Sequence, residues 1–381
     1  MDFELSEEQR MLKDSVDRLM ADEYDFDQRK KHLKGPHGFS DGVWSQFAEL
    51  GLLALPFSEA DGGFGGGPIE TMLVMESLGH GLSLEPYFAS VVLCGGLLRH
   101  AGSPEQRAHW APQIASGEKK FAFAHAERHS RYDIGHVETK AVAQDGGYVL
   151  NGEKSLVLNG DAADMLIVSA RVSGGARDRD GIGLFIVDAR APGVTRRGYA
   201  LQDDRRAAEI TLHNVKVDAQ HVLGAPGKAF DAIERTMGEA IVAACAEAVG
   251  CMDEMHKQTV EYLKTRKQFG VTIGSFQALQ HRAVEMFVAL EQARSITMYA
   301  TMLAASDDAE ERRRAISAAK AQVGRSIRFV GQQAIQLHGG VGMTHELKVG
   351  HYFKRATVID MFGGDADYHL AKIADAGGLA S

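Results

Sequence analysis

The chain has 381 residues, with 42 Lys and Arg against 51 Asp and Glu and a formal charge of −9, which excludes a nucleic acid or an anionic membrane held by bulk charge and leaves room for two or three domains. No apolar run reaches membrane-spanning length, and residues 1–10 open acidic, without the basic-then-apolar order of a secretory signal. Three scattered cysteines, Cys94, Cys245 and Cys251, make neither a disulfide framework nor a zinc site, so no metal is expected and the expected compartment is the cytoplasm.

From Leu5 to about Ala124 the apolar spacing is helical, as in Val16, Leu19 and Met20, and is broken at Gly35-Pro36 and at the glycine run 62–67 before Pro68. That run lacks a preceding strand and a Lys-Ser/Thr ending, so it reads as an inter-helix loop and not a phosphate loop. Between about Glu127 and Val222 the pattern turns to strands. Tyr148-Val149-Leu150 meets Asn151-Gly152, a hairpin signal, and strand-like runs follow at Met165–Ala170, Gly183–Val187 and Ile210–Val217, with residues 173–181 as a surface loop. Regular spacing of such strands predicts a small barrel or sandwich.

From about Ala229 the chain is helical again. Phe276, Leu279, Ala283, Met286, Phe287 and Leu290 share one helical face, which predicts a bundle helix. Cys245 and Cys251 fit an apolar helical pattern as buried small residues, Met298–Met302 reads as helix core, and the charged patch Asp307–Arg314 reads as a solvated connection between two helices. The expected fold is mainly α with a central β domain: an N-terminal helical domain (1–124), a middle β-barrel (125–228) and a C-terminal four-helix bundle (229–381). No βαβ alternation is present, which excludes a doubly wound nucleotide fold.

Two late stretches stand out. Tyr262-Leu263-Lys264-Thr265-Arg266-Lys267-Gln268-Phe269-Gly270, followed by Phe276-Gln277, offers a forked donor for phosphate and a flat apolar ring. Gln336-Leu337-His338-Gly339-Gly340-Val341-Gly342-Met343 has glycines that let backbone amides approach a ligand. Each fits equally well an Arg at a helix C-terminus and a glycine turn between helices.

Together, in this order and on this frame, and with Leu5–Arg10, Glu49-Leu50-Gly51-Leu52-Leu53 and Asn151-Gly152-Glu153-Lys154, they resemble the acyl-CoA dehydrogenase family over nearly the whole chain, with a leaning to a dicarboxylyl-CoA-oxidising branch. The resemblance implies an FAD enzyme of β-oxidation type that converts an acyl-CoA thioester to the 2,3-enoyl-CoA and passes electrons to an electron-transfer flavoprotein. It also implies FAD lying across a subunit interface. The residues serving its ADP half would be Arg266, Gln268, Phe269, Gln277, Gln336 and Gly340.

Departures from the family pattern are concentrated elsewhere. The usual base position falls on Gly363 and the alternative one on Ala240, neither of which can take a proton from carbon. Glu239 is one residue off and, as a helix neighbour, faces about 100° away; a solvated helix glutamate is its plainer reading. Glu247 and Asp365 are weaker candidates. On the flavin-ring side, Phe123–Arg128 places Ala126 where a hydroxyl is expected, Leu156-Val157-Leu158 replaces an aromatic and a hydroxyl, and Tyr132 replaces a small serine. Asp365 and Asp367 add charge where pyrophosphate would be opposed.

This one-sided loss predicts the non-catalytic small subunit of a heterotetramer that completes the FAD site of a catalytic acyl-CoA dehydrogenase partner. The alternatives are a homotetramer with Glu239 as displaced base, and a flavin-free acyl-CoA-binding or structural paralogue. His125 and His338 read as hydrogen-bonded turn or strand residues. Arg128 and Arg131 read as surface charges, or as partners of a distal carboxylate.

Overall fold

The computed structural model describes residues 5–378; the first four residues of the acidic opening segment lie outside them. In chain order come α1 (Glu7–Glu23), α2 (Phe26–Leu33), α3 (Asp41–Glu49), α4 (Pro68–Gly81), a π-helical segment (Phe88–Cys94), α5 (Gly95–Ala101) and α6 (Pro104–Ala115). The strands follow: β1 (Phe121–Ala124), β2 (Lys140–Gln144), β3 (Gly147–Leu158), β4 (Met165–Arg171), β5 (Ile182–Asp188), β6 (Val194–Ala200), β7 (Arg206–Asp218) and β8 (Val222–Leu223). The last third holds α7 (Phe230–Thr265), a ribbon of β9 (Lys267–Gln268) and β10 (Val271–Thr272), then α8 (Gln277–Ala304), α9 (Ala309–His338), α10 (Lys348–Met361) and α11 (Ala366–Asp375). The expected order of helical, β and helical regions is therefore present. Among the described residues no helix is long and apolar enough to cross a membrane.

Packing sorts these elements into two compact units. One combines the chain up to Lys31, Pro68–Ser83 and everything from Ile241; the other holds His32–Gly67 and Leu84–Ala240.

In the second unit the strands form one sheet of order β6-β7-β3-β2-β4-β5-β8, with β1 added in parallel to β4. Its main core is an apolar cluster running from Leu150, Leu166 and Val168 to Phe185, Ile210 and Val215. The turn between β2 and β3 is Asp145-Gly146, at φ 50° and 81°, not the expected Asn151-Gly152. Gly152 instead sits at a bulge inside β3, where an added Cβ would lie 2.6 Å from Thr139 Oγ1. Lys154 of β3 is fully buried, and its Nζ donates to Glu127 Oε1 (2.7 Å), Ser169 Oγ (3.1 Å) and the His125 carbonyl (3.1 Å). Glu127 also accepts the amides of Glu138 and Thr139, so this one pair closes the loop that follows β1.

In the first unit α8 and α9 run as long helices, joined by residues 305–308 alone. The charged patch is thus mostly helix: Asp308 caps α9 by accepting from the Glu310 and Glu311 amides, and residues 309–314 are its first turns. Of the stripe expected to bury along α8, Met286 and Leu290 are buried, but Phe276 and Phe287 are 39% and 48% exposed. All three cysteines are buried and free. His80 of α4 lies 3.1 Å from Asp253 and 3.7 Å from Asp17. Burial opposes its protonation, but the hydrogen bonds to Asp17 and Asp253 prevail and raise its pKa from 6.5 to about 9.

Two outcomes follow from these ionic groups. The stability contributed by His80 is complete below pH 6.5 and is lost as the pH rises through about 9. Allowing for the partial exposure of both aspartates, roughly 2 kcal/mol should disappear from urea unfolding between pH 6 and 9.5, and His80→Gln should flatten that slope. Lys154→Met, which strands Glu127, should cost about 3–5 kcal/mol in the same assay, with part of the loss restored by adding Glu127→Gln. An unchanged midpoint in the single variant would show that the pair does not support the sheet.

Candidate functional site

The ends of three helices bring the late motifs together. Arg266 follows the last turn of α7, its amide donating to the Tyr262 carbonyl at 2.8 Å, and the chain then reverses through the β9–β10 ribbon. At the ribbon tip, Phe269 and Gly270 take φ 55° and 80°, a primed turn that glycine accepts freely and phenylalanine does not. Phe269 is 90% exposed and meets Phe276 edge-on at 6.2 Å. Gln277 opens α8, Gln336 lies in the last turn of α9, and Gly339 turns the chain at φ 65° into the short helical turn that carries Gly340. Tyr262 packs on His338 at 4.6 Å, and Arg282 donates to Gln333 at 3.2 Å, which ties these ends to one another. Arg266, Gln268, Phe269, Gln277, Gln336 and Gly340 are all exposed, and no ion pair engages Arg266 among the described residues. A guanidinium, three amide side chains and glycine-rich backbone suit a polyanion bearing an aromatic ring.

The base positions have no such chemistry. Ala240 is fully buried, and Gly363 sits in the left-handed region at φ 67°. Glu239 is not a solvated helix glutamate as expected. Its side chain is 14% exposed, with Oε2 2.8 Å from Arg99 and Oε1 2.8 Å from His100, while Arg235 stands 3.8 Å away. Burial works to raise its pKa, yet the His100 hydrogen bond and the Arg99 charge outweigh that and hold it below the usual range. Glu247 is fully buried and bound two-pronged by Arg355 at 2.9 and 2.6 Å. Asp365 caps α11 by accepting the Tyr368 amide.

Around the β strands, Leu156 lies at a register shift, in the left-handed region at φ 53°, and is 53% exposed. Arg128 and Arg131 are exposed. His125 is buried, stacked on Phe123, with Nδ1 2.9 Å from Ser169 Oγ. Burial and the Lys154 charge push its pKa down to about 3, so it is neutral and accepts from the serine hydroxyl. His338 likewise bonds within the fold, through Nδ1 to the Ala334 carbonyl. Burial also draws the Lys154 ammonium down to about 8, against the attraction of Glu127. The partnerships of Lys154, Glu239 and His80 were not legible beforehand, since their partners lie far away in the chain. Among the described residues, no group of three or more His, Cys, Asp or Glu is placed to hold a metal ion.

Three family matches tile the chain: the N-terminal domain of acyl-CoA dehydrogenases over residues 6–118, the middle domain over 122–215 and the C-terminal domain over 227–378. A probable acyl-CoA dehydrogenase of Bacillus subtilis, YngJ, is 32% identical across 98% of this chain and 99% of its own. The ChsE4–ChsE5 complex of Mycobacterium tuberculosis superimposes with a TM-score of 0.88 at 27% identity, covering 98% of both chains. An FAD complex of PigA gives 0.91 at 27% identity over the full length of both. This chain therefore belongs to the acyl-CoA dehydrogenase family, whose members are oxidoreductases acting on CH–CH bonds.

Proposed function

We propose that this chain is the non-catalytic subunit of a heteromeric acyl-CoA dehydrogenase and lends its helix-end cluster to the FAD of a catalytic partner. The observation that carries the reading is the asymmetry between the two halves of the cofactor site. Arg266, Gln268, Phe269, Gln277, Gln336 and Gly340 are gathered and exposed, while the base positions are Gly363 and Ala240. The ADP half of FAD fits the first set: Arg266 pairs with pyrophosphate, Phe269 packs near the adenosine, and Gln336 and the amides about Gly340 supply hydrogen bonds. On the ring side the fit fails, because Ala126 and Leu158 carry no hydroxyl and Leu156 offers no aromatic face. FAD held by this cluster would supply the hydride acceptor for the partner's substrate, with electrons passing on to an electron-transfer flavoprotein.

In finer detail the chain is similar to the small subunit of pimeloyl-CoA dehydrogenase, and a heterotetramer in the cytoplasm is the arrangement we favour. The ChsE4–ChsE5 complex, made of two different chains, supports such pairing by analogy. The exposure of Val284, Phe287 and Val288 on α8, at 60%, 48% and 48%, offers an apolar strip that a second subunit could cover. Glu239 as a displaced base is disfavoured, since its oxygens are engaged by the Arg99 guanidinium and the His100 ring. The exposed Arg128 and Arg131 fit ordinary surface charges better than partners of a distal carboxylate of the acyl chain.

Expressed alone, the chain should be colourless and inactive; expressed with a homologue encoded beside it, the pair should co-purify yellow and oxidise acyl-CoA. In that pair, Arg266→Ala should lower FAD affinity on the order of 10- to 100-fold, the worth of one charge-assisted contact. Turnover by the lone chain, abolished by Glu239→Gln, would defeat the proposal.

A further inference from the structure

The connector between α10 and α11, Phe362-Gly363-Gly364-Asp365, is where the reading above finds no base, and it is held with unusual completeness. Lys320 of α9 is fully buried, and its Nζ donates to the carbonyls of Ile359 at 3.0 Å and Asp360 at 2.6 Å, closing the C-terminal end of α10 with a cation. His369 of α11, 1% exposed, lies beneath the turn with Nε2 3.1 Å from the Gly363 carbonyl and Nδ1 3.2 Å from Ser317 Oγ. A carbonyl only accepts, so Nε2 carries the hydrogen and Nδ1 accepts from the serine. Burial holds this imidazole neutral, with a pKa pushed down to about 4. On the far side, Asp365 Oδ1 accepts the Tyr368 amide at 2.9 Å and fixes the start of α11.

Between these anchors the backbone has two left-handed residues, Gly363 at φ 67° and Gly364 at φ 116°. A Cβ on Gly363 would lie 2.7 Å from Cγ1 and 2.9 Å from Cδ1 of Ile241, a β-branched residue that is itself 7% exposed. A Cβ on Gly364 would lie 2.2 Å from Tyr368 Cδ1 and 2.9 Å from His369 Nε2. Each position is thus closed twice, by backbone conformation and by a packed neighbour.

We propose that Phe362–Asp365 is a conformational lock held by Lys320, Ser317 and His369, so that a side chain at position 363 is admitted only with a loss of stability and a carboxylate is not restored there freely by one substitution. The inference rests on the non-catalytic reading and extends it: the base is missing, and the turn at its place resists a side chain.

The test reads stability alone, on the purified chain, by thermal unfolding of Gly363→Glu, Gly363→Ala, Ile241→Ala and the Ile241→Ala/Gly363→Ala pair. Gly363→Ala should lower Tm by on the order of 5 °C, and Gly363→Glu by at least as much, with a smaller alanine penalty in the Ile241→Ala background, where the clash is relieved. Should the glutamate variant fail to fold, the alanine series still gives the answer. A Gly363→Ala protein melting within about 1 °C of wild type, or an alanine penalty unchanged by Ile241→Ala, overturns the lock. Turnover by the unmodified lone chain would instead sink the non-catalytic reading, so the two failures are separable.

Discussion

The carboxylates buried along α7 are tolerable only because each meets a partner, and the rest of the chain is arranged around that requirement. Glu239, near its start, is held by Arg99 and His100; Glu247 by the fork of Arg355; Asp253 by His80. Glycine makes the middle of this arrangement possible. A Cβ on Gly79 would lie 2.3 Å from the Glu247 carbonyl oxygen, and one on Gly250 would lie 2.0 Å from that of Glu76, so α4 and α7 cross with their backbones in contact. That close crossing brings His80 within reach of Asp253 and leaves Arg294 of α8 to pair with Glu76 at 2.6 Å. Arg266 follows the last turn of α7, so a helix anchored by ion pairs along its length delivers at its tip a guanidinium that no ion pair engages among the described residues.

The distribution of carboxylates carries the chemical consequence. Removing a proton from carbon needs a carboxylate free to approach it, with a pKa raised toward neutrality by a dry setting. The carboxylates nearest the base positions are placed in the opposite sense. Glu239 has its pKa lowered by the His100 hydrogen bond and the Arg99 charge, Asp360 is bound by Arg328 at 2.5 Å, and Asp365 is taken up by a helix cap. These bonds support structure, and the Glu239 anion is stabilised where a base would need to be destabilised. A helix-end cluster that contacts a nucleotide has no such requirement, because it binds and positions without exchanging protons.

Much of the architecture was legible because it rests on local pattern. Alternation from helical spacing to strand spacing and back located the three regions, and Arg266, Phe269 and the Gly339-Gly340 turn were visible as chemistry at helix ends. The hairpin was not, for a specific reason. Asp145-Gly146 and Asn151-Gly152 are both suitable primed turns, and the choice between them depends on the pairing of β3 with β7, whose bulge at residues 150–152 accommodates Thr139 and leaves Asn151 Oδ1 to accept the Asn214 amide at 2.8 Å. A similar limit applied at Glu239, whose partners are 139 and 140 residues distant. Adjacent sequence describes a glutamate on a helix; only tertiary packing makes it the centre of an ion-pair cluster. The segment 307–314 misled in the other direction, since its charges fit a solvated loop and a capped, charged first turn equally well.

The stripe on α8 shows why periodicity cannot by itself define a core. Phe276, Met286, Phe287 and Leu290 recur at spacings that place apolar side chains toward an apolar neighbour, and the pattern is silent about whether that neighbour belongs to the same chain. Here the stripe divides: Met286 and Leu290 turn inward, whereas Phe287, with Val284 and Val288, stays near half exposed. A shallow groove continues from Phe287 and Val288 along Ile296 and Ala321 to Leu370 and Ile373, bordered by Glu291 and Arg325. Opposite charges beside one apolar strip suit a related surface turned end for end, because each chain then offers its cation to the other's anion. On the proposed heteromeric reading, the exposed Phe269 and this strip share an origin: both are apolar surface whose burial needs a second subunit, so the cofactor site and the oligomer would be completed together.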